Sequence, residues 1–416
     1  MNSVAKSPLQ AFEAKLRRFL RIVMFENLGF SLGVSFGISQ ALLAYWWLAV
    51  VLREPPPTVG RFLVAVAVLV AFNLGVVFTF GTVRSRRMRA RNVASVYSAI
   101  GFSLTVIAAV VVFGGFGFVG MAAILGLAGG GPQTAFEAFR WASGSMVAAT
   151  GFALLSGFTG GRRTTRVHPV TVRVRGLPDG ADGLRIAHLS DLHIGNGIEG
   201  KRLERIVSQT NALGADIVVI TGDIFDRDRA AIPEGARGLA GLRARLGVFA
   251  VLGNHDDYTG FEAVCDGLAA HAPSIRVLRG ERTALPVDGG RVYLAGLDDP
   301  GRDWSIAGPR TAALERLALD LPDDGPTLLL VHRPDAFPRA ADLGFPLVLA
   351  GHYHGGQIAV PGSSGRLNPA RLLTEFDGGV YRRDDATLFV SKGIGTTGPR
   401  IRLACPPEIG VIELRR

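Results

Sequence analysis

Four stretches within the first 161 residues contain no Asp, Glu, Lys or Arg: 27–52, 62–83, 93–136 and 141–161. Crossing a hydrocarbon core of ~30 Å takes roughly 20 apolar residues of helix. In lipid, a chain must also satisfy its backbone polar groups internally. The runs therefore predict an N-terminal four-helix transmembrane region over 27–161, with spans at 27–52, 62–83, 93–125 and 141–161. The first run is too long for a signal peptide's apolar segment, lacks a small-x-small cleavage site and is followed by further spans.

The formal net charge of +10 points to nucleic acid only until it is divided along the chain. Residues 1–166 hold 16 Lys/Arg against 4 Asp/Glu, whereas 167–416 hold 29 against 31. The basic excess thus belongs to the membrane part, where it reads as topology and headgroup contact. The remainder has no basic stripe, so nucleic acid is not expected as a partner.

Within segment 1–26, Leu9, Phe12, Leu16, Phe19, Leu20 and Val23 recur at helical spacing among Lys15, Arg17, Arg18 and Arg21. This basic amphipathic segment either lies on an anionic leaflet or forms a solvated stub with its apolar side against the bundle. Arginines 84, 86, 87, 89 and 91 fill the second loop, and Arg162, Arg163 and Arg166 follow the last span. The other two loops carry few cations. This alternation predicts a multi-pass protein of the inner membrane with its N-terminus and its C-terminal half in the cytoplasm. The run 93–136 is also long enough for two tight spans, which would place the C-terminal half outside; four spans fit the arginines without exception.

After a linker and first strand at 162–183, charge returns and the apolar runs shorten to five or six residues between Gly, Pro and Asp. Residues 184–190, 216–221, 248–252, 327–331 and 347–350 read as buried strands. Helical patterns at 201–213, 234–245 and 260–270 lie between the early ones, which is βαβ order. The later runs 283–288, 291–296, 386–391 and 409–414 look more antiparallel. Only two cysteines occur, Cys265 and Cys405, with no paired spacing that would signal a disulfide framework or a zinc knuckle.

The strand ends carry the chemistry. Asp191-Leu192-His193, Gly222-Asp223-Ile224-Phe225-Asp226, Gly253-Asn254-His255-Asp256, His332 and Gly351-His352-Tyr353-His354-Gly355-Gly356-Gln357 each follow an apolar run. Five of the eight histidines fall in these segments. In an open α/β sheet, sites form beyond the carboxyl ends of the strands. Carboxylate oxygen, amide oxygen and imidazole nitrogen without thiolate suit Mn²⁺, Fe or Zn²⁺, and two such ions are the expected cofactors. His188 reads as a core histidine, His168 and His271 as surface, and Asp298-Asp299 as turn formers.

These five segments, in this order, resemble the signature of the calcineurin-like metallophosphoesterases over residues 184–416. The bacterial membrane-associated branch is the most similar, sharing Gly393-Ile394-Gly395 and the Arg402-Leu403-Ala404-Cys405-Pro406-Pro407-Glu408-Ile409 stretch. Tyr353 departs from that branch's pattern at a position that is not a ligand. The resemblance implies a four-layer α/β/β/α sandwich and a binuclear metal-dependent phosphoesterase. It assigns Asp191, His193, Asp223 and His354 to one ion and Asp223, Asn254, His332 and His352 to the other. A hydroxide bridging the ions would attack a phosphodiester or pyrophosphate, with His255 protonating the leaving oxygen, Asp256 orienting it and Asp226 supporting a ligand histidine.

The expected partners are a phosphoester substrate, lipid-linked if the membrane serves a two-dimensional search, and the bilayer itself. The alternatives are a phosphodiesterase of soluble nucleotides or other small phosphodiesters, and a membrane sensor or transporter regulated by the phosphoesterase domain. Transport is disfavoured because the spans carry no ionisable residue.

Overall fold

A computed structural model describes residues 28–55, 57–83, 88–124, 131–299, 311–363, 365 and 367–416. The amphipathic segment at 1–26 and the arginines at 84, 86 and 87 lie outside the described residues. The chain divides into two compact units, Met1–Phe158 and Thr159–Arg416.

In the first unit, helix α1 (Leu28–Trp46) runs into a π-helical turn at Trp47–Val51 and is followed by α2 (Val59–Val83), α3 (Met88–Ile124) and α4 (Gly131–Thr159). Among the described residues, three helices are long and apolar enough to cross a membrane, at Phe30–Val51, Val59–Val77 and Val96–Gly115. That corrects the expectation of four. The fourth run does form a helix of 29 residues, but Ser143, Ser145, Thr150 and Ser156 dilute its apolar character, and Glu137 and Arg140 precede them. Residues 88–124 form one continuous helix rather than a folded pair.

Glycines at four-residue spacing set how α1 meets α2. A Cβ at Gly37 would stand 2.5 Å from the Val70 Cα, and one at Gly33 would stand 3.1 Å from the Leu74 Cα. Small residues let helix backbones approach where lipid supplies no hydrophobic drive for association. The fully buried Asn73 donates to Gln40 Oε1 at 2.9 Å and to the Leu69 carbonyl at 2.7 Å, and accepts from the Tyr97 hydroxyl.

The second unit contains two six-stranded mixed sheets. One is built from β1 (Arg166–Arg173), β2 (Arg185–Leu189), β3 (Ile217–Thr221), β4 (Val248–Val251), β5 (Ile275–Val277) and β12 (Glu408–Arg415), in the order β1-β12-β2-β3-β4-β5. The other is built from β6 (Glu281–Val287), β7 (Gly290–Leu297), β8 (Thr327–Val331), β9 (Leu347–Ala350), β10 (Gly379–Arg383) and β11 (Ala386–Val390), in the order β10-β11-β9-β8-β7-β6. β2 through β5 are parallel neighbours, as are β7, β8, β9 and β11, while hairpin partners and the β12–β2 pair are antiparallel.

Alternation along each strand explains the packing, because successive side chains point to opposite faces. Ile217 and Val219 join Leu328, Leu330 and Leu349 in one buried cluster that draws on both sheets. Val218 and Ile220 instead face a second cluster with Leu203 and Ile206 of α5 (Gly200–Ala212), Leu239 of α6 (Ile232–Leu239) and Val264 and Leu268 of α8 (Phe261–His271); a short helix, α7 (Asn254–Thr259), precedes α8. On the other sheet, Leu329 and Val331 pack with Leu314 of α9 (Thr311–Ala318) and Phe337 of α10 (Phe337–Asp342). Strands buried on both faces read as unbroken apolar runs, which is why their sequence shows no polar alternation.

Candidate metal centre

Five loops at the C-terminal ends of parallel strands bring the chemistry together. Asp191 and His193 follow β2, Asp223 follows β3, Asn254 and His255 open α7 after β4, His332 follows β8, and His352 and His354 follow β9. Asp191, His193, Asp223, His352 and His354 all adopt positive φ, between 49° and 80°. Non-glycine residues pay of order 1–3 kcal/mol each for such conformations, and these collect where a fold over-determines them. Here the reversal after each strand turns the side chain inward, toward its counterparts from the other loops.

The donor atoms form two groups. In the first, His193 Nε2 lies 3.1 Å from His354 Nε2 and 3.5 Å from Asp223 Oδ2, while Asp191 Oδ1 lies 3.3 Å from His354 Nε2. Ligand atoms of all four residues lie within 4.8 Å of one another. In the second, His332 Nε2 is 3.2 Å from Asn254 Oδ1, 3.2 Å from His352 Nδ1 and 3.3 Å from Asp223 Oδ2. Asp223 Oδ2 is thus common to both groups. The surrounding hydrogen bonds hold these side chains in place. His332 Nδ1–H donates to the Thr221 carbonyl at 2.8 Å, which leaves Nε2 with its lone pair facing the site. Ser190 Oγ donates to Asp191 at 2.6 Å, and the His352 N–H approaches both Asp191 oxygens at 3.1 Å.

This donor set fits a pair of divalent ions. Two nitrogen–nitrogen approaches of 3.1 and 3.2 Å in a buried site bring ring nitrogens together as the shared ligands of a cation would be. Without cations the crowding appears as opposed ionisations. Burial, and then the charge of Asp223, push Asp191 up, while the imidazoles of His332 and His255 hold Asp223 well down against its own burial. Burial works against charge on His332, yet Asp223 and Asp191 together raise it to about 10.

His255 lies at the edge of the two groups. Its backbone N–H donates to Asp223 Oδ1 at 2.8 Å, its Nδ1 lies 2.5 Å from Asp226 Oδ1, and its Nε2 lies 3.4 Å from Thr397 Oγ1. The carboxylate that orients this ring is therefore Asp226 and not, as expected, Asp256. Asp256 is wholly buried and accepts from the backbone N–H groups of Gly253 and Phe225 at 2.9 Å and of Ile224 at 3.1 Å, tying the loop after β3 to that after β4. Burial and the nearby Asp223 raise its carboxyl to about 7 despite those donors. Asp226 Oδ1 also lies 3.5 Å from His193 Nδ1, and the two imidazoles hold it below the ordinary carboxylate range against the effect of burial.

Three features escaped the sequence reading. Arg402 is completely buried, donating to the Gly395 carbonyl at 2.7 Å and the Lys392 carbonyl at 2.8 Å, with Nη2 3.3 Å from His354 Nδ1. The Arg402–Glu408 stretch marked the place, but no periodicity signals a buried guanidinium. Asp298 and Asp299 are not plain turn formers: Asp299 takes a forked pair from Arg333 at 2.6 and 3.0 Å, next to His332, and Asp298 pairs with Arg279 at 2.8 Å. His168 is partly exposed, as expected, but also lies 3.2 Å from the buried Glu408. His188 lies in the core as anticipated, with Nε2 2.7 Å from Thr221 Oγ1 and burial lowering it to about 3.

Residues 184–356 match the family model for the calcineurin-like phosphoesterases. The chain is 32% identical over 278 residues to a transmembrane protein with a metallophosphoesterase domain from Danio rerio, a match that covers 62% of this chain and 60% of that protein. It is 33% identical over 251 residues to an uncharacterized metallophosphoesterase of Aquifex aeolicus, covering 60% and 92% of the two chains. With an uncharacterized metallophosphoesterase of Bacillus subtilis it shares 31% identity over 254 residues, covering 59% and 84%.

Proposed function

The chain belongs to the calcineurin-like metallophosphoesterase family and is a phosphoester hydrolase, and from that premise we propose that the whole protein is a membrane-anchored, binuclear phosphodiesterase or pyrophosphatase. The observation that carries this reading is the convergence of seven side chains from five strand-end loops into two donor groups that share Asp223 Oδ2. We assign Asp191, His193, Asp223 and His354 to one divalent ion and Asp223, Asn254, His332 and His352 to the other. Mn²⁺, Fe and Zn²⁺ all suit these ligands. When bound, the pair would supply positive charge to the phosphoryl oxygens and acidify water.

The remaining work falls to the protein. Asp226 accepts from His255 Nδ1–H, which fixes the ring and leaves Nε2, on its far edge, to give a proton to a leaving oxygen. Thr397 Oγ1 lies beside that nitrogen. Asp256 clamps the two loops that carry Asp223 and Asn254, so its part is to keep their spacing.

The three buried clusters support a four-layer α/β/β/α sandwich over 184–416, with β1 joining it from the segment 162–183. Residues 27–161 are the anchor. The arginine distribution supports a multi-pass protein of the inner membrane with the 84–91 loop on the cytoplasmic side. A hydrolase tethered at a bilayer meets a lipid-linked phosphodiester or pyrophosphate by search in two dimensions, which favours such a substrate over a soluble nucleotide.

The test is turnover of bis-p-nitrophenyl phosphate by the full chain in detergent, stripped of metal and then supplied with Mn²⁺. Metal-dependent turnover that falls ~10²–10⁴-fold in His255→Ala is the expected result. A chain that binds no metal would overturn the assignment.

A further inference from the structure

Just beyond the first two ligands, the turn Gly195-Asn196-Gly197 is crossed by three guanidinium groups. Arg400 Nε donates to Asn196 Oδ1 at 3.0 Å, and Asn196 Nδ2 donates to the Thr396 carbonyl at 2.7 Å. Arg202, in the first turn of α5, donates to the carbonyls of Gly197 at 2.8 Å and Arg162 at 3.1 Å. Arg400 Nε and Arg162 Nη1 lie 3.4 and 3.5 Å from the point that a Cβ on Gly197 would occupy. Gly197 has a φ of +91°, so glycine is needed there both for the backbone and for the passage of the two side chains.

Three positive charges therefore gather over one turn, all on partly exposed side chains. Arg202 feels the Glu199 carboxylate, but the neighbouring guanidinium groups of Arg162 and Arg402 act on it more strongly. The acid in the turn, Glu199, accepts from the Gly197 N–H at 3.0 Å. The strain of this arrangement is visible in the ionisation of the group. Burial and then Arg400 lower Arg162, and burial followed by Arg162 and Arg402 lower Arg202 to about 10. Guanidinium forks match phosphate oxygens in geometry as well as in charge.

Placement along the chain narrows the source of such an anion. Arg162 comes three residues after α4 ends at Thr159, where the apolar region closes. Asn196 and Thr396 connect the cluster to the loops that carry Asp191, His193 and Thr397. We propose that Arg162, Arg202 and Arg400 form an anion site that takes the phosphate of a phospholipid headgroup, beside the loop that carries Asp191 and His193. This assignment rests on the membrane anchoring proposed above. It names the chemistry that a lipid-linked substrate or an adjacent lipid would present.

Hydrogen exchange of the full chain in detergent micelles tests it, with phosphatidylglycerol or uncharged diacylglycerol added. Phosphatidylglycerol should slow exchange at 195–202 and 396–402 by about tenfold relative to diacylglycerol, as one charge-assisted hydrogen-bonding group would. R162Q/R400Q should lose that difference, R162K/R400K should keep most of it, and both should retain turnover of bis-p-nitrophenyl phosphate. Equal protection by inorganic phosphate at matched concentration would uphold the anion site and assign it to a soluble group. Protection that is absent, or unchanged in R162Q/R400Q, would overturn the proposal and leave the arginines as ties between loops. Protection in a chain that lacks turnover would defeat the hydrolase reading while leaving the anion site standing.

Discussion

The two units bury polar groups in opposite ways. In the helical unit, Asn73 is fully buried and its amide and carbonyl are all used, by Gln40, the Leu69 carbonyl and the Tyr97 hydroxyl. In the sheet unit, Asp191, His193, Asp223, His332 and His354 are just as inaccessible, yet they face one another, nitrogen against nitrogen. Burying a polar group is costly unless its hydrogen-bonding capacity is met. The first network is closed by the protein alone. The second gathers donor atoms that divalent cations would complete, and a network completed by a ligand is a site rather than a scaffold.

The largest effect should come from breaking the open network at the atom its two halves share. Asp223→Asn removes the charge common to both donor groups and forfeits several kcal/mol of electrostatic stabilisation. Turnover of bis-p-nitrophenyl phosphate should fall by at least about 10³-fold, with metal content reduced, as read by kinetics and elemental analysis. Unchanged metal content together with unchanged turnover would show that Asp223 is not shared. Asp226→Asn should cost less, about 10–100-fold in turnover, because it only orients His255 and neighbours His193. Its metal content should stay near that of the unaltered chain, a split that a simple folding defect would not produce.

Much of the open network could be read from the sequence, and its legibility has a physical basis. A strand buried on both faces is a short apolar run, and the polar residues that interrupt it lie at its end, so Asp191, Asp223, Asn254, His332 and His352 announce themselves by position. What lay beyond reach depends on the path of the chain. Asp226 and Asp256 are both near His255 in sequence, and only the course of the loop after β3 decides that Asp226 meets the ring. The left-handed φ values at Asp191, His193, Asp223, His352 and His354 leave only a faint signal, since Asp and His enter that region more readily than most residues but are common outside it. Asp299 finds Arg333 across 34 positions, and Arg402 finds the Lys392 and Gly395 carbonyls, by folding alone. The fourth apolar helix was overcounted because absence of charge is a weaker criterion than apolarity: hydroxyl groups pass the first and fail the second.

The closed network and its surroundings should respond with stability rather than with chemistry. Gly37→Leu would force a side chain onto the Val70 backbone, since even a Cβ there stands 2.5 Å from the Val70 Cα. Overpacking of this kind costs about 1–3 kcal/mol. Trp46, Trp47 and Trp141, three of the four tryptophans, lie in this unit, so fluorescence-monitored melting of the full chain in detergent would register the loss. Turnover measured below the melting range should be unchanged. A large loss of turnover would instead mean that the helices do more than anchor.

The smallest effect expected is that of Asn73→Leu. The substitution removes an amide that bonds Gln40 and the Leu69 carbonyl, and leaves the Gln40 oxygen and the Tyr97 hydroxyl to find other partners. Hydrogen bonds between helices in a membrane average only ≈ 0.6 kcal/mol, because the separated helices find partners too. A slight drop in the melting temperature with unchanged turnover is therefore predicted. A loss as large as that of Gly37→Leu would mean that this bundle is held by its polar contacts rather than by glycine packing, and so that the two units differ less in how they use buried polarity than their geometry implies.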